Sequence, residues 1–183
     1  MAKKSIKHTN MYPIHQEGQK TAFMCTIDPG HKTGYAIFED GRLERSGVVT
    51  IESVYDIKKF LYSQFDKYDR VMLAIENQYM HFNTATYKRL VKIAFSWEYI
   101  FATEMINFRG LYRVNPSRWQ KWIGIKKERR EQRKKKSVQY AKKHANTLVI
   151  DNNQADAINI GLYVLNNYEK IPVMTKKEVL SWK

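Results

Sequence analysis

The sequence predicts an α/β fold with a mixed five-stranded sheet flanked by helices. Three observations predict it: three strand-like runs in immediate succession, two further apolar runs separated by helical patterns, and a closing series of helices. At 183 residues and 43% apolar content, the chain holds enough material for one sizeable core.

The elements follow in order. Residues 1–20 mix charge, polarity, Pro and Gly without a period and read as a basic, flexible arm. An apolar strand over 21–27 ends in Asp28-Pro29-Gly30. Strands over 34–38 and 43–49 then flank Asp40-Gly41, a hairpin turn signal. A helical pattern over 54–65, a β-branched run over 71–75 and a second helical pattern over 84–105 alternate after the meander. Leu111 to Val114 supplies the fifth strand, Pro116 ends it, and Ser117 is the expected cap of a helix over 117–123. Helices over 128–145 and 153–168 complete a single domain over 21–170, and 171–183 reads as a tail.

Thirty-two Lys and Arg against eighteen Asp and Glu give a formal charge of +14, which suits a polyanion. No run reaches the roughly 18 apolar residues of a spanning helix, and the first twenty residues lack a secretory core. No basic amphipathic helix or lipid anchor stands out, so a cytoplasmic chain with no membrane partner is expected. The single cysteine, Cys25, lies in an apolar run and reads as a buried thiol.

Two strands each end on an acid, Asp28 and Glu76, and Asp156 lies near the start of a helix whose apolar positions Ala157, Ile160 and Val164 share a face. Each acid has a plain alternative: a turn former, a polar strand end, a helix-dipole partner. Converging, they would form an oxygen-rich site suited to two Mg2+ or Mn2+ ions. Such a pair, about 4 Å apart, lowers the pKa of an attacking water and stabilises the leaving oxygen in phosphodiester hydrolysis.

Three blocks carry a resemblance. Ile27-Asp28-Pro29-Gly30-His31-Lys32-Thr33-Gly34-Tyr35-Ala36-Ile37 resembles the first hairpin of RuvC-type Holliday junction resolvases, members of the ribonuclease H-like superfamily. Ala74-Ile75-Glu76-Asn77-Gln78-Tyr79-Met80, with Asn83 beyond, is similar to the second acidic strand of the family. Gln154-Ala155-Asp156-Ala157-Ile158-Asn159-Ile160-Gly161 is similar to its C-terminal helix. The resemblance spans about 22–165 and implies a ribonuclease H-like fold. It further implies a homodimer that cuts four-way DNA junctions by paired nicks, with Asp28, Glu76 and Asp156 as catalytic metal ligands and no small-molecule cofactor. The compact chain and its basic insertion resemble phage and viral members.

One position departs from the family, which carries an acid or histidine where this chain has Asn153. Asn153 belongs to the same expected metal and catalytic set, offering a neutral carbonyl. Asp151, about 140° round a helix from Asp156, would stand in only from a bent N-terminal segment. Three readings stay open: a natural variant tolerating Asn, a junction-binding protein that does not cut, and an inactive Asp-to-Asn variant. A different ribonuclease H-fold nuclease is a further alternative.

Between Lys121 and Lys143 stand eleven Lys or Arg and two acids, a net of +9 in 23 residues. Like charges this dense destabilise an isolated helix, which favours phosphate binding over a solvated face. Lys126, Lys127, Arg129, Arg130, Arg133 and Lys134 are the expected phosphate contacts, with Lys32, Lys88 and Arg118 from elsewhere. By resemblance, Lys135 or Lys136 stands near the scissile phosphate as a catalytic cation. Tyr79 and Phe82 are candidates to wedge into or stack on an opened base pair, beside Asn83. The helix over 84–105 pairs a broad apolar face with Lys88, Arg89 and Lys92, suiting core and dimer interface together.

Overall fold

The computed structural model describes residues 22–65, 69–78, 84–145, 147–149 and 151–181. The expected arm over 1–20 and the residues Tyr79, Phe82 and Asn83 lie outside them.

The sheet has six strands in the order β3-β2-β1-β4-β5-β6. β1 (Ala22–Asp28), β2 (Lys32–Glu39) and β3 (Arg42–Thr50) form the antiparallel meander. Asp40 and Gly41 both take positive φ, 47° and 79°, in the turn joining β2 to β3. β4 (Arg70–Glu76) lies parallel to β1 and β5 (Asn107–Val114) parallel to β4, so the sheet is mixed as expected.

The expected count of five strands is corrected by β6 (Val173–Met174), which pairs antiparallel with Leu111 and Tyr112 of β5. Two residues hold no alternation to read, so this edge strand exists only by pairing. The segment expected as a tail thus contributes β6 and α6 (Lys176–Leu180), with Val179 buried against the core. β5 also starts earlier than its apolar run, because Arg109 and Gly110 interrupt the pattern while the ladder continues across a register shift.

Helices cover both faces. On one, α1 (Val54–Gln64) and α2 (Thr84–Glu104) bury Ile57, Phe60, Leu61, Trp97 and Phe101 against Cys25, Ile27, Leu73 and Ile75. A half-buried ion pair, Arg113 of β5 to Glu98 of α2 with Nε–Oε1 at 2.9 Å, fixes α2 on this face. On the other, α3 (Pro116–Trp122), α4 (Arg130–Ala145) and α5 (Asn152–Asn167) enclose Met24, Ala74, Trp119, Ala155, Ile158 and Val164. The cap of α3 is Asn115 rather than Ser117: its side-chain oxygen accepts the Ser117 backbone N–H at 2.9 Å.

α5 lies close on β1 and β2, which is what places Asp156. A Cβ on Gly34 would stand 1.9 Å from the Asn153 carbonyl oxygen, and one on Gly161 would stand 2.1 Å from Phe38 Cε2. Between these contacts, buried Thr26 Oγ1 donates to the Ala157 carbonyl oxygen at 2.7 Å. Two absent side chains and one hydroxyl therefore set the height of the helix over the sheet.

Candidate active site

Asp28 and Glu76 are the last residues of two adjacent parallel strands, whose ladder pairs Ile27 with Ile75. Strand polarity therefore delivers both carboxylates to the same sheet edge, where a crevice forms in open α/β sheets. Asp156, in the second turn of α5, reaches this edge because α5 begins at Asn152 beside β2.

All three acids hold their protons more tightly than free carboxylates. Asp28 is raised well above the usual range by burial, then by the negative charges of Glu76, Asp156 and Asp151. Burial lifts Glu76 to about 7 against the Trp119 hydrogen bond, with Asp156 adding to the rise. Asp156 is lifted to about 6 by burial, opposed by Ser137 and by Arg133. The three are thus one electrostatic cluster of like charge, short of positive compensation.

Among the described residues no three His, Cys, Asp or Glu side chains are gathered tightly enough to enclose a metal ion. The donor set nonetheless fits a hard divalent cation, being all oxygen and carrying excess negative charge that a cation would offset.

Two neighbours orient the acids. Trp119, buried on α3, donates Nε1–H to Glu76 Oε1 at 2.8 Å. Ser137, buried on α4, donates its hydroxyl to Asp156 Oδ1, and Asn159 of α5 donates Nδ2–H to the same hydroxyl oxygen at 2.8 Å. None of the three stood out in the sequence as a site residue. The readable signals were a single indole N–H in a strand-turn-helix segment and a polar Asn on the buried face of α5.

Asn153 and Asp151 divide a position that the sequence left open. The Asn153 amide donates Nδ2–H to the Lys32 carbonyl oxygen at 3.0 Å, which ties α5 to β2. Asp151 caps α5 from an extended backbone, φ −127° and ψ 149°, accepting the Asn153 backbone N–H at 2.7 Å. It stands just off the helix, and its charge acts on both Asp28 and Asp156.

The basic residues spread unevenly. Arg133 and Lys134 are the cations that act most on Asp156. Lys136 is ion-paired to Glu128 and donates to the Gly124 carbonyl oxygen at 3.3 Å, and Lys135 is exposed. Lys135, two residues before Ser137, stands about 200° from it round the helix, away from the face that meets Asp156. Lys126, Lys127, Arg129 and Arg130 are exposed on and before α4. Lys32, Lys88 and Arg118 are exposed on β2, α2 and α3.

No family model matches the chain, and no curated protein matches it. Its shape is similar to that of T. thermophilus RuvC in complex with Holliday junction substrate, with TM-score 0.60, 14% identity, and 84% of this chain and 99% of that chain covered. It is also similar to a Thermus thermophilus RuvC structure, with TM-score 0.54, 13% identity, and 83% and 99% covered. The fold is the ribonuclease H-like fold of RuvC. No helix among the described residues is long and apolar enough to cross a membrane.

Proposed function

We propose that the chain is a structure-selective DNA endonuclease that resolves four-way junctions by paired, divalent-metal-dependent nicks, related to the phage and viral members of the RuvC type. One observation carries the reading: Asp28, Glu76 and Asp156 act on one another electrostatically at the carboxyl ends of β1 and β4, beside basic α4. The neighbour of the same fold that was solved with a Holliday junction supports the choice of substrate.

Asp28, Glu76 and Asp156 would hold two Mg2+ or Mn2+ ions, which supply an activated water and charge stabilisation for the leaving oxygen. The chain's own residues do the rest. Trp119 fixes the rotamer of Glu76, and Ser137 fixes that of Asp156. Arg133 and Lys134 draw the phosphate backbone to the cluster, while the remaining cations of α4 lengthen the track. Asp151 supplies the negative charge that Asn153 lacks, so Asn153 serves as an α5-to-β2 tie.

Paired nicks require two sites related by a two-fold axis. Val91, Phe95 and Tyr99 repeat every four residues along the outer face of α2, with Phe95 and Tyr99 stacked at 6.1 Å, and this stripe is the dimer face in our reading.

A junction-binding protein that does not cut is the second reading, favoured by the amide at 153. The deciding experiment is cleavage of a labelled four-way junction in Mg2+ by the chain and by Asn153→Asp, against linear duplex. Paired nicks by both support the endonuclease with Asp151 in the charge set. Nicks by Asn153→Asp alone mean a resolvase disarmed at 153, and binding without nicks by either establishes the second reading.

A further inference from the structure

Asn159 is fully buried on α5, three residues beyond Asp156 and therefore on the same helix face. Its Nδ2 donates to the Ser137 carbonyl oxygen at 3.0 Å and to Ser137 Oγ at 2.8 Å. Ser137, 2% exposed, donates its only hydroxyl proton to Asp156 Oδ1. The amide occupies a lone pair of the hydroxyl oxygen, which leaves the proton aimed at Asp156 Oδ1 and this hydrogen bond clear of the other carboxylate oxygen, Oδ2.

The pair is hard to explain as packing. Asn159 Oδ1 is buried with no hydrogen-bond partner, so the amide leaves an unsatisfied acceptor that an apolar side chain in this place would not. The pair also bridges two helices with different tasks. Arg133 and Lys134, one turn before Ser137 on α4, are the cations that act most on Asp156. One helix thus carries both the groups that meet phosphate and the hydroxyl that holds the acid.

We propose that Ser137 and Asn159 are positioning residues that set the orientation of Asp156 for metal binding. The proposal rests on the endonuclease reading for its effect on cleavage and on this hydrogen-bond chain for the rest. Outer partners of metal ligands act on affinity and rate through the ligand, without touching the substrate.

The test compares the unmodified chain with Ser137→Ala, Asn159→Ala, the double variant and the hydroxyl-retaining Ser137→Thr. Thermal melting checks that each is folded. Mn2+ binding without DNA is followed by electron paramagnetic resonance, and junction binding and single-turnover cleavage are followed separately. Ser137→Ala and Asn159→Ala should each weaken Mn2+ binding about ten-fold and slow cleavage, with junction affinity unchanged. The double variant should be no worse than Ser137→Ala, since both act through one hydroxyl, and Ser137→Thr should restore binding. Unchanged Mn2+ affinity in folded Ser137→Ala, effects that multiply in the double variant, or absence of Mn2+ binding by the unmodified chain each overturn the proposal. If the unmodified chain binds Mn2+ with this pattern and cuts no junction, the endonuclease reading fails and the positioning role stands.

Discussion

The Trp119 indole, 43 residues along the chain from Glu76, donates its N–H to Glu76 Oε1 at 2.8 Å. It is a neutral donor on a buried acid, so it steadies the carboxylate without cancelling its charge. Trp119→Phe keeps an aromatic body in a site 1% exposed and removes the donor. The expected outcome is a roughly ten-fold slower cleavage with junction affinity unchanged, measured in single-turnover assays.

The carboxylate cluster makes metal-free stability fall with rising pH. A carboxylate raised in the folded state adds stability below its unfolded value and loses it through its folded one. For Glu76 that window runs from 4.5 to about 7, and for Asp156 from 3.8 to about 6. Glu76→Gln removes one titrating group, and it should melt about 5 °C above the unmodified chain at pH 8, on the order of 2 kcal/mol. Near pH 4 the two should melt together. An equal difference at both pH values would show that the charge is not the cause.

Gly34→Ala would drive a methyl into the Asn153 carbonyl at the crossing of β2 and α5. Because the obstacle is backbone, relief requires α5 to lift, carrying Asp156 with it. A loss of about 2–3 kcal/mol in denaturant unfolding is expected, together with loss of cleavage.

Junction binding should fall steeply with salt, since α4 presents seven Lys or Arg against one Glu. The log-log slope should lessen by about one unit in Arg133→Gln, one phosphate contact fewer. A slope near zero in the unmodified chain would remove α4 from the DNA interface.

Phe95→Glu on the exposed stripe of α2 should convert a dimer to a monomer in analytical ultracentrifugation while leaving the melting temperature within a few degrees. Paired nicking should then give way to single nicks. A monomeric unmodified chain would refute the placement of the dimer face.

Much of this was legible before any coordinates. The meander, the Asp40-Gly41 turn, α2 and the alternation after β3 follow from local periods of two and 3.6 residues, and local periods are what a sequence displays. β6 was not legible, because two residues carry no period, and the start of β5 was hidden where Gly110 interrupts its apolar run. The cap of α3 was misassigned by two residues between Asn115 and Ser117, both good caps by chemistry and separated only by where the helix begins.

The sequence by itself determined that Asp28 and Glu76 end strands, that Asp156 lies near the start of a helix and that the charge of the chain concentrates before and along α4. Only the tertiary structure decided that β1 and β4 lie side by side and parallel, which brings the first two acids to one edge. It alone turned Lys136 onto Glu128, set Asp151 off the helix beside the cluster, aimed Trp119 and Ser137 at the acids, and placed Asn159 behind Ser137. The physical reason is range. Propensity and capping act over a few residues, whereas the hydrogen bonds of Trp119, Ser137 and Asn159 join side chains 19 to 43 positions apart, and their geometry exists only once α5 has settled against Gly34 and Thr26.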